Sequence, residues 1–160
     1  MKENLNRLDL DKRCEVVVLP GQEWVNQDRS NKVAAILVDV PCSATGTGNR
    51  RPDVLQKDTA DLESLHQIQE KLANHCVDNI LSKDGVMIYA TCSLLKSESE
   101  DQVTKLLQRG GVETLPFEPG EIPGFDNAID QNGWLRVIPG MIGGPLNYCD
   151  GFFVARLKKN

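Results

Sequence analysis

Two apolar runs of equal length are the strongest constraint on the fold. They read KVAAILVDV at residues 32–40 and GVMIYATCS at residues 85–93, and such runs are typical of parallel strands buried on both faces. Between them, apolar residues recur every three or four positions, which predicts an amphipathic helix that Asp84 and Gly85 terminate. The order of strand, helix and strand predicts two neighbouring parallel strands joined by a right-handed crossover. The apolar positions of the helix are Leu62, Leu65, Ile68, Leu72, Cys76 and Ile80.

The flanking segments extend this pattern to a doubly wound α/β sheet. Leu5 and Leu8 indicate the end of a helix, and CEVVVL at residues 14–19 predicts a further strand. Ser97 and Glu100 form a capping box that would begin a helix after the second apolar run. GWLRVIPG and GFFVARL predict two last strands that pair as an antiparallel edge. A chain of 160 residues is long enough for one such domain and too short for two.

Charge and composition exclude several classes of protein. The net charge of −5 argues against a nucleic-acid binder that works through bulk electrostatics, so any RNA contact must be local. The sequence has no apolar stretch of the roughly 20 residues that a membrane span requires, and its start lacks the apolar region of a signal peptide. We therefore expect an intracellular protein with no membrane partner, and the cytoplasm, the nucleus or nucleolus and an organelle all stay open.

Cysteine and histidine spacing gives no sign of a metal site. The five cysteines include no CxxC pair, and His66 and His75 are nine residues apart, which does not place them on one face of a helix. Two cysteines nevertheless differ from the others, because Cys42 follows the first apolar run and Cys92 lies at the end of the second. The carboxyl ends of neighbouring parallel strands meet at one edge of a sheet, where ligands bind. We therefore predict that these two thiols face one cleft.

The alternative for any single cysteine is a small core residue, and this is the ordinary interpretation of either member of the pair taken alone. It is also our interpretation of the three remaining cysteines, which do not follow a buried strand in the same way. These are Cys14, Cys76 and Cys149.

The segments around both cysteines resemble a known enzyme family. DVPCSATGTGNRRPD at residues 39–53 and YATCSLLKSESED at residues 89–101 are similar to the fourth and sixth motifs of the Sun/Fmu, or RsmB-type, family of S-adenosylmethionine-dependent RNA cytosine-5 methyltransferases. LRVIPG and DGFFVARLKK are similar to the closing segment of that family. The resemblance implies a Rossmann-like class I methyltransferase sheet, truncated on its N-terminal side, with S-adenosylmethionine as cofactor and ribosomal or transfer RNA as partner. It also implies that residues 1–160 are the C-terminal part of a single methyltransferase domain.

The chemistry of cytosine explains why two thiols are needed. Carbon 5 accepts a methyl group from a sulfonium only after a thiolate has added at carbon 6. The resemblance implies that Cys92 is this thiolate and that Cys42 helps to resolve the adduct. DNA cytosine-5 methyltransferases instead attack with the cysteine that corresponds to Cys42. Helix amino termini and arginines around the strand end are expected to lower the pKa of the attacking thiol.

The resemblance also assigns residues around the pair. Asp39 is implied to contact the cytosine or the methyl donor, as a catalytic and cofactor-binding residue, although an acid at a strand end can equally cap a loop. Pro41 is implied to lie at the donor site, where it shapes the turn and keeps Val40 extended. Arg50 and Arg51 are interpreted as ligands of RNA phosphates, and ordinary solvated charges are the alternative.

The chain departs from the family's pattern upstream of the first apolar run. The family's glycine-rich turn for the methyl donor and its acid for the ribose hydroxyls have no counterpart, and VLPGQ at residues 18–22 stands where an acid near the adenine is expected. We therefore expect only half of the donor pocket in this chain, with the remainder upstream or in a separate chain. Two alternatives stay open, namely a non-catalytic remnant that binds RNA or a partner subunit, and a thiol redox protein.

Overall fold

The computed structural model describes residues 2–25, 32–56, 61–144 and 148–160, which form one sheet and its helices. None of the helices in these ranges is long and apolar enough to cross a membrane. The helices are α1 (Lys2–Arg7), α2 (Leu62–His75) and α3 (Glu100–Arg109). The strands are β1 (Val33–Asp39), β2 (Leu81–Thr91), β3 (Val112–Thr114), β4 (Leu135–Val137) and β5 (Phe152–Lys159).

The sheet combines a parallel crossover with an antiparallel C-terminal part. β1 and β2 pair in parallel, with Leu37 opposite Ile88 and Asp39 opposite Ala90. β5 runs antiparallel to β2, and its other edge pairs with β4 near its start and with β3 near its end. Four strands therefore run in one direction and β5 runs against them. This arrangement confirms the predicted α/β class and the antiparallel pairing of the last two strands.

The helix α2 is the predicted crossover between the two apolar runs. A π-helical turn, Cys76–Ile80, follows it and carries the chain directly into β2. Asp84 lies inside β2 with a φ of 59°, so the predicted termination of the helix at Asp84 and Gly85 is wrong. The early turn allows Leu81 to enter the core, where it is fully buried.

The core lies between one face of the sheet and the helices α2 and α3, which contact each other. A second and smaller apolar cluster surrounds β4. Because alternate residues of a strand point to opposite faces, only every second side chain of β1 takes part in the core. The main cluster includes Val38, Val40, Ala73, Val77, Met87, Tyr89, Val103, Leu106, Phe153 and Leu157. The smaller cluster includes Phe117, Ala128, Leu135, Val137 and Ile142.

The strand β1 lies at the edge of the sheet, and the prediction that it is buried on both faces is wrong. Leu37 is 70% exposed, because only the opposite face of β1 meets the helices. The predicted strand at residues 14–19 is also wrong, since this segment has no regular structure and Val18 is 90% exposed. A strand requires a neighbour that satisfies its backbone hydrogen bonds. Within the described residues, no strand pairs with the outer edge of β1 or with this segment.

The helix α3 does not begin at the capping box that the sequence predicts. Its N-cap position is Ser99, which makes no side-chain capping bond. The Oγ atom of Ser97 instead lies 3.1 Å from Nε2 of His66. The predicted capping box is wrong because a short 3-10 turn, Lys96–Glu98, precedes the helix. This turn directs the side chain of Glu98 into the protein interior.

Candidate active site

Both predicted cysteines lie just beyond the ends of the parallel strands. The amide of Val40 donates to the carbonyl of Ala90 at 3.1 Å, so the two strand ends stay in register almost as far as the cysteines. The Sγ atoms of Cys42 and Cys92 are 3.5 Å apart, and both side chains are partly exposed. The two thiols therefore meet at one edge of the sheet, which is the placement that the prediction of a shared cleft requires.

The surroundings of Cys92 raise the pKa of its thiol. Burial is the largest cause, followed by the hydrogen bond with Cys42 and the negative charge of Asp39, and the pKa reaches about 11. The expectation of a lowered pKa is wrong for this structure, because no cation among the described residues offsets the burial. Cys92 is therefore protonated at neutral pH, and it must lose its proton before it can attack a base.

Three backbone segments meet at a tight junction beside the cysteine pair. The amide of Gly46 donates to the carbonyl of Cys92 at 2.9 Å, and the amide of Gly151 donates to the carbonyl of Gly46 at 2.8 Å. A Cβ atom added at Gly46 would lie 2.1 Å from the Gly151 oxygen and 2.7 Å from the Cys92 oxygen. Only glycine fits there, and its contacts join the loop after β1 to the loop after β2 and to the turn before β5.

A buried carboxylate lies behind the cysteine pair. Glu98 accepts hydrogen bonds from the amide of Ser43 at 2.9 Å, from the hydroxyl of Ser43, and from Nε2 of Gln69 at 3.1 Å. The same Nε2 donates to the carbonyl of Pro41 at 2.8 Å. Glu98 and Gln69 are both fully buried. These bonds attach the residues on both sides of Cys42 to the turn that precedes α3.

The orientation of Gln69 has an energetic cost. Its Oε1 has no hydrogen-bond partner among the described residues, and a buried acceptor of this kind costs about 1–3 kcal/mol. Turning the amide over would bring Oε1 against two acceptors, the Pro41 carbonyl and the Glu98 carboxylate. The two acceptors therefore determine which way the amide points.

The predicted donor-site residues, Asp39 and Pro41, lie at the strand end beside the cysteines. Both are exposed, and the charge of Asp39 is close enough to Cys92 to raise the pKa of the thiol. This exposed carboxylate at the carboxyl end of a parallel strand fits one side of a ligand site.

Across the described ranges, no group of three or more His, Cys, Asp or Glu side chains is arranged to hold a metal ion.

The two arginines predicted to bind RNA each contact an acid. The Nε atom of Arg50 lies 3.0 Å from both carboxylate oxygens of Asp150, just before β5. This hydrogen bond lowers the pKa of Asp150. Arg51 lies 3.1 Å from Asp53, and both arginines are exposed. An RNA phosphate would therefore compete with a carboxylate for each guanidinium group.

Comparison with known proteins identifies the family. The family model described as 16S rRNA methyltransferase RsmB/F matches residues 1–158. The chain belongs to this family. One relative, ribosomal RNA small subunit methyltransferase B of Yersinia enterocolitica, is 40% identical over 164 residues, which cover 99% of this chain and 33% of the relative. The same enzyme of Xylella fastidiosa is 39% identical over 126 residues, which cover 78% of this chain and 27% of the relative. The chain thus spans about a third or less of the length of these relatives.

Solved structures share the fold of this RsmB/F-family chain. NSun6 from Pyrococcus horikoshii, solved with SFG, superposes with a TM-score of 0.74 and 26% identity, covering 99% of this chain and 38% of that chain. A methyltransferase homolog protein from the same organism gives a TM-score of 0.68 over 99% of this chain and 48% of that chain. Its identity of 24% supports the fold alone. These likenesses confirm the methyltransferase-type sheet that the sequence motifs implied.

Arg136 is a residue of the site that the sequence motifs of this RsmB/F-family chain did not indicate. This residue of β4 donates to the Ser93 carbonyl at 3.1 Å and to the Ser99 hydroxyl at 2.8 Å. Its guanidinium also binds both carboxylate oxygens of Glu100 and lies 5.3 Å from the centre of the Phe153 ring. Burial would raise the pKa of Glu100, but the hydrogen bonds from Arg136 and Ser99 outweigh it and lower the pKa below 4.5. The available signal was a lone arginine within the apolar strand WLRVIP.

Proposed function

We propose that this chain carries the cysteine pair of an enzyme that transfers a methyl group from S-adenosylmethionine to carbon 5 of a cytosine in RNA. The observation that carries the proposal is the 3.5 Å separation of the Cys42 and Cys92 sulfur atoms at neighbouring strand ends of an RsmB/F-family chain. The relatives are small-subunit ribosomal RNA methyltransferases, which supports small-subunit ribosomal RNA as the substrate in preference to transfer RNA. The SFG in the NSun6 structure, an analogue of S-adenosylmethionine, supports that cofactor.

In the proposed mechanism, Cys92 is the nucleophile. Its thiol loses a proton, and the thiolate sulfur forms a bond to carbon 6 of cytosine, which makes carbon 5 electron-rich. S-adenosylmethionine, when bound, would supply the methyl group from its sulfonium, and the sulfur–methyl bond that breaks would leave S-adenosylhomocysteine. Once carbon 5 is methylated, its proton leaves to a base, the double bond between carbons 5 and 6 re-forms, and the bond to Cys92 breaks. Cys42, whose sulfur touches that of Cys92, assists this release.

The remaining site residues have supporting roles in this proposal. Asp39 and Pro41, exposed at the end of β1, would face the cytosine and the methyl donor. Arg50 and Arg51 would exchange their carboxylate partners for RNA phosphates. A base within a duplex would have to be unpaired before it could reach the cysteines.

Residues 1–160 would form the C-terminal part of a single catalytic domain. Nothing in the comparisons supports a separate chain for the remainder. The curated relatives named above are bacterial, so they support a cytoplasmic site of action and give no support to a nuclear or nucleolar one.

Two cysteine variants test the mechanism. The variants are made in the full-length enzyme that this proposal implies and assayed with a small-subunit ribosomal RNA fragment and radiolabelled S-adenosylmethionine. Cys92→Ala should abolish methylated product. Cys42→Ala should instead accumulate a covalent complex between protein and RNA, seen as a denaturation-resistant band. Cys14→Ala is the matched control, because Cys14 is exposed and far along the chain from the pair. Equal and mild losses in both variants would contradict the assignment of roles.

The two alternatives give different results in the same preparation. A non-catalytic remnant would bind RNA equally well with and without S-adenosylmethionine and would yield no adduct. A thiol redox protein would form a Cys42–Cys92 disulfide under mild oxidation and reduce a disulfide substrate in turn. Calorimetry of S-adenosylmethionine with this chain alone should come first, because the absent glycine-rich turn predicts weak binding or none.

A further inference from the structure

We propose that Glu98, assisted by Gln69, is a positioning residue that sets the separation of the two thiols. No step of the mechanism above uses Glu98, and among the described residues its carboxylate forms hydrogen bonds with Ser43 and Gln69 and with neither cysteine. Its part in catalysis rests on the proposed function, whereas its control of the thiol separation can be measured without RNA or a methyl donor.

The first observation is that Glu98 is buried without a charged partner. It is fully buried, and among the described residues no lysine or arginine forms an ion pair with it. A carboxylate is an acceptor-only group, and burying one is costly unless hydrogen-bond donors surround it. The donors here come from Ser43 and Gln69. A carboxylate is thus held in the interior by contacts to the cysteine loop rather than by a salt bridge.

The second observation is that these donors flank Cys42. Ser43 follows Cys42 and donates to Glu98 twice, through its amide and its hydroxyl. Pro41 precedes Cys42, and its carbonyl is held by the same Gln69 nitrogen that binds Glu98. The loop on both sides of the Cys42 thiol is therefore fixed to one buried carboxylate.

The third observation is that Glu98 is itself anchored to the strand that leads to Cys92. The hydroxyl of Tyr89, on β2, donates to the backbone carbonyl of Glu98 at 2.9 Å. The hydroxyls of Ser43 and Ser93 lie 3.1 Å apart, which adds a direct link between the two cysteine loops. Glu98 thus joins the loop of one thiol to the strand of the other, and the 3.5 Å separation of the sulfur atoms depends on it.

The orientation of Gln69 follows from its two bonds to Glu98 and to the cysteine loop. Its Oε1 has no partner in the described part of the chain, whereas most buried acceptors are satisfied. The amide keeps this orientation because Nε2 must serve both Glu98 and Pro41. Maintaining the cysteine loop accounts for that unsatisfied acceptor.

The direct test measures how readily the two thiols meet. In a background with Cys14→Ser, Cys76→Ala and Cys149→Ser, the equilibrium between the chain and oxidised glutathione gives the effective concentration of Cys42 relative to Cys92. Oxidised glutathione takes up the two electrons, and the two thiols lose two protons as the sulfur–sulfur bond forms. We expect Glu98→Ala to lower this effective concentration by roughly fivefold or more, and Glu98→Gln, which keeps the shape and one acceptor, to recover part of the loss.

The matched control is Val103→Ala, which removes buried methyl groups in the first half of α3 without touching the cysteine loop. It should lower the unfolding free energy while leaving the effective concentration at the parental value. The proposal is overturned if the Glu98 variants stay within about twofold of the parent. It is also overturned if Val103→Ala lowers the effective concentration as much as Glu98→Ala does, because loosening would then be general.

A second readout connects the pair to catalysis. If Cys42 assists release, Glu98→Gln should accumulate the RNA adduct as Cys42→Ala does, with the KM for RNA unchanged. These reactions use the full-length enzyme that the proposed function implies, because this chain is expected to hold only half of the donor pocket. A full-length parent that makes no methylated product contradicts the proposed function and leaves the glutathione measurement to decide the positioning role. A parent chain that is active, with a Glu98→Gln variant that forms no excess adduct, contradicts the catalytic part of this inference.

Discussion

Replacing Gly46 with alanine should disrupt the junction at which the two cysteine loops and the turn before β5 meet. The added Cβ would lie 2.1 Å from the carbonyl oxygen of Gly151, whereas real Cβ contacts are essentially never shorter than 3.0 Å. One backbone segment must therefore move by about 0.9 Å, which strains the hydrogen bonds of Gly46 to Cys92 and to Gly151. Overpacking costs about 1–3 kcal/mol and each of the two bonds about 0.5–1.5 kcal/mol, so we expect a loss of about 2–6 kcal/mol.

The assay is urea unfolding at equilibrium, with Gly143→Ala as the matched control. An added Cβ at Gly143 meets nothing within 4 Å, and its φ is not in the left-handed region, so alanine should change the unfolding free energy by less than about 0.5 kcal/mol. The backbone of Gly46 also has an ordinary φ, so any difference between the two variants reports the close contact rather than conformational strain. A Gly46→Ala chain as stable as the control would refute the described packing of the cysteine loops.

Three further predictions follow from the site. The alkylation rate of Cys92 by iodoacetamide, followed by mass spectrometry, should rise about tenfold per pH unit from pH 7 to 10, because the pKa of its thiol is about 11. At pH 7.5 its thiolate fraction is roughly 300-fold smaller than that of a free thiol, and its alkylation should be slower by less than this factor, because the more basic thiolate is the stronger nucleophile. A plateau by pH 9 would contradict this. Arg136→Lys should lower the free energy of unfolding by about 1–2 kcal/mol at pH 7. The loss should be smaller in acid, because the lowered pKa of Glu100 stabilises the fold above its usual value of 4.5 and this contribution is lost as Glu100 protonates. An equal loss at pH 3 and at pH 7 would argue against the ion pair. Asp150→Asn should free the guanidinium of Arg50 and tighten RNA binding in a filter assay, and unchanged affinity would remove Arg50 from the proposed interface.

The proximity of the two cysteines could be predicted from the sequence. Cys42 and Cys92 are 50 residues apart along the chain, yet their meeting followed from two apolar runs and one crossover helix, because neighbouring parallel strands must end at the same edge of a sheet. Asp39 and Pro41 came from the family resemblance, and their roles stay predictions. The role of Glu98 could not be predicted, although this acid lies within the segment YATCSLLKSESED. A single sequence does not indicate which carboxylate a short turn will direct into the interior.

Some local signals failed because tertiary neighbours decide them. The segment at residues 14–19 has the composition of a strand, but backbone groups form a ladder only against a partner strand. The helix α3 has a capping box in its sequence, but a 3-10 turn displaced its start and Ser97 bonds His66 instead. The pKa of Cys92 moved opposite to expectation, because burial and a neighbouring thiol outweighed any favourable charge.

The α/β class, the crossover between the two apolar strands and the presence of two thiols at one sheet edge could be predicted without coordinates. These features depend on hydrophobic periodicity and chain connectivity, which are properties of the order of residues. The folded chain was needed to show which face of β1 is covered, that Gly46 must be glycine, and that Glu98, Gln69 and Arg136 surround the cysteine loops. Such features depend on contacts between segments far apart in the chain, where burial and hydrogen bonding override local preference.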